Sequence, residues 1–168
     1  MSRSTRDADY AAFVQAAWQR HLRTAELLTG DPHRGQDLLQ DCLVKLYVRW
    51  PRQAADPHAY LRRMLANGSI SRWRRRRREL LTAETPDTAD PTGDPAGPGG
   101  EPDGALRRAL LALPDRQRAV VVLRHIEDLS EKETAAVLGC TVGSVKSHNS
   151  RAMARLRAAL PERQEAAL

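Results

Sequence analysis

Residues 130–157 read SEKETAAVLGCTVGSVKSHNSRAMARLR, and the fold of the chain turns on what this stretch becomes. Ser130 with Glu133 forms the Ser-x-x-Glu pattern of a capping box, in which each side chain satisfies an orphan backbone donor of a helix's first turn. Gly139 closes that short helix, because glycine takes the left-handed conformation after a helix end without steric cost. Thr141 then caps a second helix running towards Leu160. On it Val145, Ala152, Leu156 and Ala159 fall on one apolar stripe, while Lys146, Ser147, Ser150 and Arg151 gather on another face. A cationic face rich in hydroxyls suits the major groove, where Lys and Arg meet phosphates or guanine edges and Ser reaches phosphates or bases. The pattern predicts a DNA-binding helix-turn-helix. Its bland alternative is an ordinary helical hairpin with a solvated basic face.

The surrounding composition fits a polyanionic partner. The chain has 168 residues with a formal net charge of +6 and a pI near 10.0, a balance that favours nucleic acid over acidic substrates. Its length allows one medium domain or two small ones. The only cysteines, Cys42 and Cys140, stand far apart, with no CxxC or Cys/His cluster. Two reduced thiols are therefore expected rather than a disulfide framework, a zinc site or any cofactor. The opening MSRSTRDADY lacks an apolar signal core, and no apolar run is long enough to span a bilayer. The expected compartment is the cytoplasm, with no membrane contact.

Upstream, Tyr10, Phe13, Val14, Ala17, Trp18, Leu22, Ala25 and Leu28 keep the rhythm of an amphipathic helix from about Asp9 to Thr29, stopped by Gly30. Asp31-Pro32 supplies a capping acid and a proline at the first helical position, where its missing N–H costs nothing. The helix it starts buries Leu38, Leu39, Cys42, Leu43, Leu46, Tyr47 and Trp50, shows Asp37, Gln40 and Asp41 on its other face, and is expected to end at Pro51. Asp56-Pro57 repeats the start signal for a third helix, which turns Tyr60, Leu61, Met64 and Leu65 inward and runs into the basic block Arg72, Trp73 and Arg74 to Arg78.

From Leu81 to Gly104 the chain becomes rich in Pro, Gly, Thr and acids and nearly empty of apolar residues, so it cannot bury enough surface to offset its ordering entropy. Beyond it, Ala105 to Leu113 and Asp115 to Ile126 read as helices, the latter with Ala119, Val120, Val122, Leu123 and Ile126 on its apolar side. The expected architecture is all-α: a flexible tail over 1–8, a helical domain over 9–80, a disordered acidic linker over 81–104, a second small helical domain over 105–161 and a tail over 162–168.

The segment from Leu113, LPDRQRAVVVLRHIEDLSEKETAAVLGCTVGSVKSHNSRAMARL, resembles region 4 of an extracytoplasmic-function (ECF) sigma factor of bacterial RNA polymerase. Gly35 to Arg78, with DLLQD and AYLRRMLANGSISRWRRR, is similar to region 2 of that family. The order, region 2, loose linker, region 4, also matches, and the acidic linker with the SRWRRR tract resembles the actinobacterial SigE-like group. The resemblance implies a transcription initiation factor without catalytic activity. Its partners would be core RNA polymerase, through the β′ clamp helices and the β flap, and promoter DNA, with an anti-sigma factor as a further partner the family allows. A stand-alone helix-turn-helix regulator is the alternative. A nucleic-acid enzyme is a weaker one, since no carboxylate or His constellation for metal ions stands out.

The same resemblance distributes roles among residues. Asp37, Gln40 and Asp41 match the motif that docks on the clamp helices, and acids flanking an amide on one face can pair with a basic partner helix. A plain solvated face and a metal-binding carboxylate pair are the competing readings, the last short of ligands. Asn67, Arg63, Arg72, Trp73, Arg74, Arg75 and Arg76 would serve the melted minus-ten element, with the loop Pro51 to Ala55 beside a flipped base. Trp73 is expected to pack rather than stack, and the arginines to follow phosphates or simply end a helix in solvent. Ser71 stands where many members carry an acid. Lys146, Ser147, Ser150 and Arg151 would read the minus-thirty-five element as duplex, with Thr141 and Ser144 at the helix start and Asn149 and Arg155 as outlying contacts. His148 is open between DNA, the first helix and solvent. Arg116, Arg118 and Arg124 are open between DNA backbone, the flap and solvent. Thr134 replaces a usual isoleucine. The linker's acids are expected to mimic RNA inside the polymerase.

Overall fold

A computed structural model describes residues 3–53, 55–82 and 102–160, and every regular element among them is helical. The chain divides into two compact units, Met1–Asp87 and Thr88–Leu168. The first contains α1 (Arg3–Thr29), α2 (Pro32–Gln53) and α3 (Pro57–Thr82). The second contains α4 (Pro102–Leu111), α5 (Asp115–Val121) continuing into a π-helical turn (Val122–Ile126), α6 (Glu131–Leu138) and α7 (Val142–Ala159).

In the first unit both Asp-Pro starts behave as the sequence predicts. Asp31 Oδ1 accepts from the Arg34 N–H at 2.8 Å, and Asp56 Oδ1 from the Ala59 N–H at 2.9 Å, each satisfying a donor that the helix itself leaves orphaned. Leu38, Leu39, Leu46, Leu61 and Leu65 are fully buried where the three helices meet. A Cβ on Gly35 would lie 2.7 Å from the Glu26 Cα and N, so glycine is what lets α2 approach the backbone of α1. His21, fully buried on α1, places Nε2 3.0 Å from Nδ1 of His58 on α3, a polar tie across the core that the apolar periodicity did not reveal.

Four boundaries differ from the sequence reading. Residues 3–8, expected as flexible tail, are helical. Arg6 Nη2 donates to the Tyr47 carbonyl at 3.0 Å with its guanidinium 4.6 Å from the Tyr47 ring, and Tyr47 Oη donates to Asp7 Oδ1 at 2.6 Å, which ties the first turns of α1 to α2. The second helix does not stop at Pro51 but continues to Gln53, so part of the expected base-pocket loop is helix. Trp50, buried against Tyr10 and Phe13 at ring distances of 5.2 and 5.1 Å, anchors that last turn, and a proline near a helix end costs few backbone bonds. Leu81 and Thr82 finish α3, and Pro102 to Gly104 already belong to α4; the rest of the expected linker and the tail 162–168 lie outside the described residues.

In the second unit the helix from Asp115 widens at its end. The Glu127 N–H donates to the Val122 carbonyl at 3.0 Å and Leu129 to Leu123 at 2.9 Å, both longer steps than an α-helical bond. That extra residue turns Ile126 out to 39 % exposure, against the expectation that it packs inward. Ala159 is exposed as well, so the buried stripe of α7 is Val145, Ala152 and Leu156. Among the described residues no helix is long and apolar enough to cross a membrane.

Candidate nucleic-acid and partner-binding faces

The hairpin of α6 and α7 is capped as its sequence dictates. Ser130 Oγ accepts from the Glu133 N–H at 3.1 Å while Glu133 Oε2 accepts from the Ser130 N–H at 2.7 Å. Gly139 sits at φ 62°, and Thr141 Oγ1 accepts from the Ser144 N–H at 3.1 Å. Val120, Ala135 and Val145 form the small core under the hairpin, with Leu138, Cys140 and Val142 against it. Thr134 is fully buried in that unit, so the polar residue in place of isoleucine does not open it to solvent.

With Val145, Ala152 and Leu156 turned inward, Lys146, Ser147, Ser150, Arg151 and Arg155 are left exposed. Lys146 Nζ lies 3.8 Å from Glu131 Oε2, a loose surface pair worth about 1 kcal/mol or less, so the ammonium is readily surrendered to an anion. Thr141 and Ser144 are partly occupied by each other, their hydroxyls 2.9 Å apart at the helix start. Asn149 has a partner within the unit. It is half-buried, with Oδ1 2.9 Å from Nε2 of His125, and so fastens α7 to the π-helical turn that continues α5.

His148 is also half-buried. Burial holds its imidazole below the ordinary histidine range, and the cationic Arg116 and Arg151 push the same way. Of the three arginines left open by the sequence, Arg118 is buried. Its Nη1 donates to the Leu113 and Leu111 carbonyls at 3.1 and 3.4 Å, and Nη2 to Asp115 at 2.5 Å, closing the end of α4 rather than facing a ligand. Arg124 Nη1 donates to the Leu129 carbonyl at 2.5 Å, which braces the loop before α6.

The first unit carries two further faces. Asp37, Gln40 and Asp41 are exposed on α2, and Val44 and Val48, at 67 % and 72 % exposure, continue the same stripe at steps of one turn. The sequence signal for those valines was present in the spacing 37, 41, 44, 48, though their apolar character argued for the core. On α3, Arg63, Asn67, Ser71 and Arg74 form an exposed line at helical spacing, with Arg75 beside it. Arg72, Trp73 and Arg76 turn to a different, half-buried side. Arg77 lies over the Trp73 ring at 5.4 Å, so the indole is covered by a cation rather than packed in the core. Arg72 pairs through Nη2 with Asp41 Oδ2, which brings together two residues that the sequence reading gave to different partners. Among the described residues no group of three or more His, Cys, Asp or Glu is placed to hold a metal ion.

Residues 10–79 match the family described as Sigma-70 region 2, and residues 103–156 that described as Sigma-70, region 4. The chain is 42 % identical over 163 residues to the RNA polymerase sigma-E factor of Streptomyces avermitilis, covering 92 % of this chain and 87 % of that protein. It is 39 % identical to the RNA polymerase sigma-E factor of Streptomyces coelicolor, with coverage of 92 % and 88 %. Among solved structures it is similar to the sigma factor RpoE of Bartonella quintana in complex with the anti-sigma factor NepR, with a TM-score of 0.69, 27 % identity and coverage of 90 % of this chain and 96 % of that one.

Proposed function

The chain belongs to the ECF branch of the sigma-70 factors, which direct transcription initiation by RNA polymerase, and from that premise we propose how its residues divide the work. The unit of α1 to α3, region 2, docks on the β′ clamp helices of core polymerase through Asp37, Gln40 and Asp41. The carboxylates meet basic groups, and Val44 and Val48 supply apolar area beside them. The line Arg63, Asn67, Arg74 and Arg75 on α3 faces the melted minus-ten strand, the arginines on phosphates and Asn67 on a base.

The unit of α4 to α7, region 4, lays the N-terminal half of α7 in the major groove of the minus-thirty-five duplex. Lys146, Ser147, Ser150 and Arg151 touch bases and phosphates, and Thr141, Ser144 and Arg155 border that footprint. Asn149 serves the hairpin through His125 and leaves the DNA contact to its neighbours. The likeness to a sigma factor solved with an anti-sigma factor supports regulation by such a partner. The chain itself supplies binding and the polymerase supplies the chemistry, in the cytoplasm where both meet.

The observation that carries this reading is the exposed acidic and apolar stripe of α2, which a regulator acting alone on DNA does not need. Reconstituted transcription with core polymerase on genomic fragments tests it. Discrete promoter-directed transcripts are expected only when the chain is present, and a folded chain that yields none under any condition overturns the reading.

A further inference from the structure

Lys146 on the reading face of α7 meets an acid of its own scaffold. Its Nζ lies 3.8 Å from Oε2 of Glu131, in the first turn of α6, with side-chain exposures of 64 % and 37 %. The ammonium therefore stands further out in solvent than the carboxylate beside it. The other cations of that face, Arg151 and Arg155, are exposed and have no ion-pair partner among the described residues. Glu131 takes no part in the cap of α6, which Ser130 and Glu133 complete between them. Its carboxylate instead occupies a helix start, the kind of place that otherwise favours a phosphate.

We propose that Glu131 is a positioning residue that sets sequence specificity: it bars the Lys146 ammonium from backbone phosphates, so that Lys146 contributes binding only where the major groove presents an uncharged acceptor edge. The inference rests on the assignment of Lys146 to the minus-thirty-five duplex. A lysine ammonium is a point charge on a flexible stem and serves a phosphate as readily as a base. Phosphates are present on every sequence, so a lysine that reaches them adds affinity without discrimination. In a helix-turn-helix the first helix crosses the backbone, which puts the start of α6 on the phosphate side of Lys146. A phosphate approaching from there meets the Glu131 carboxylate and is repelled, whereas guanine N7 and O6 carry no net charge and are not. On a wrong sequence Lys146 stays with Glu131 and gains nothing. On the right one its remaining donors reach the base. The pair is exposed, so its effect on discrimination is about two- to fivefold.

The test uses holoenzyme reconstituted from core polymerase and the full chain, with transcription read from one promoter and from each single-base-pair substitution of its upstream element. Discrimination at a position is the ratio of parent to substituted transcript, taken within one protein preparation, so a general loss of stability cancels. Lys146→Ala identifies the position that this residue reads. Glu131→Gln is expected to lower the ratio at that position about two- to fivefold, by raising transcript from the substituted promoters, and to change nothing further when Lys146 is also replaced. Asp128 is exposed in the loop before α6, and Asp128→Asn, which removes the same charge away from the pair, is expected to leave every ratio as in the parent. Unchanged ratios in Glu131→Gln, a fall matched by Asp128→Asn, or a fall that survives Lys146→Ala overturn the positioning role while Lys146 keeps its reading. If Lys146→Ala itself leaves every ratio unchanged, the assignment of Lys146 to the duplex falls and the proposal with it.

Discussion

The proposed reading face of region 4 sits on a helix whose ends are fixed by neighbours in sequence. Thr141 caps α7, Ser130 and Glu133 cap α6, and Gly139 at positive φ makes the turn between them. The faces of region 2 sit instead on helices held by contacts between distant residues. Arg6 reaches Tyr47 across 41 residues, Tyr10 Oη donates to the Leu43 carbonyl across 33, and Asp41 meets Arg72 across 31. A locally built face spends little of its charge on its own scaffold, the loose Lys146–Glu131 pair being the exception. A face built by tertiary ties can share a charge with its own scaffold, as Asp41 does with Arg72, and binding at that carboxylate has to displace an internal partner.

This contrast sets the order of expected effects. The largest belongs to the tertiary unit. In Gly35→Ala the added methyl meets the backbone of Glu26, which cannot rotate away, so α1 and α2 must separate. A loss of about 1–3 kcal/mol is expected, read by urea unfolding followed through the fluorescence of Trp18, Trp50 and Trp73, all on α1 to α3, while exchange protection of α6 and α7 amides stays as in the parent. Equal loss of protection in both regions breaks the distinction.

Next comes the local unit. Ser130→Ala removes one arm of the capping box and should cost region 4 about 1 kcal/mol, measured by amide exchange along α6. Unchanged protection there means the hairpin is held by packing and not by its caps.

The two cysteines give a smaller, chemical comparison. Cys42 is buried in region 2, and burial pushes its thiol up to about 11; Asp41 adds to the rise while Lys45 and Arg72 oppose it. Cys140 is half-exposed in region 4. Alkylation at mildly alkaline pH should therefore modify Cys140 first. The raised value of Cys42 favours the folded state fully below the unfolded thiol's range, and that contribution fades as pH climbs towards 11. Alkylation of Cys42 ahead of Cys140 counts against the region 2 packing.

The smallest effect lies at His148, whose value is lowered by burial and then by Arg116 and Arg151. A lowered histidine favours the folded state above its unfolded value and loses that contribution as pH falls through the folded one. Region 4 should weaken on mild acidification, and His148→Gln should flatten the slope in a thermal-melt series. An unaltered slope places the titrating group elsewhere.

The same contrast explains what could be read from sequence. The Asp-Pro starts of α2 and α3, the capping box, Gly139 and Thr141 are local signals, and each stands where the residues predicted. The exposed positions Lys146, Ser147, Ser150 and Arg151 followed from helical spacing alone. The misses were long-range. Arg6 and Asp7 looked like polar tail because their partner, Tyr47, lies on another helix. Nothing local shows that Asn149, read as an outlying contact, also has His125 as a partner. Arg118 looked like surface, yet it is buried against the carbonyls at the end of α4. Periodicity tells which side of a helix is polar, but not whether the polar group there faces water, a ligand or another helix.

The division of labour between the regions is tested most directly by measuring Arg151→Ala and Asp37→Asn side by side for core polymerase affinity and for transcription from one promoter recovered in the reconstituted system. Arg151→Ala should keep core affinity within about twofold and lose about tenfold or more of its upstream-element-dependent transcript. Asp37→Asn should lose core affinity, and its transcript should recover when polymerase is raised to saturation. Equal loss of both properties in both variants would contradict the account.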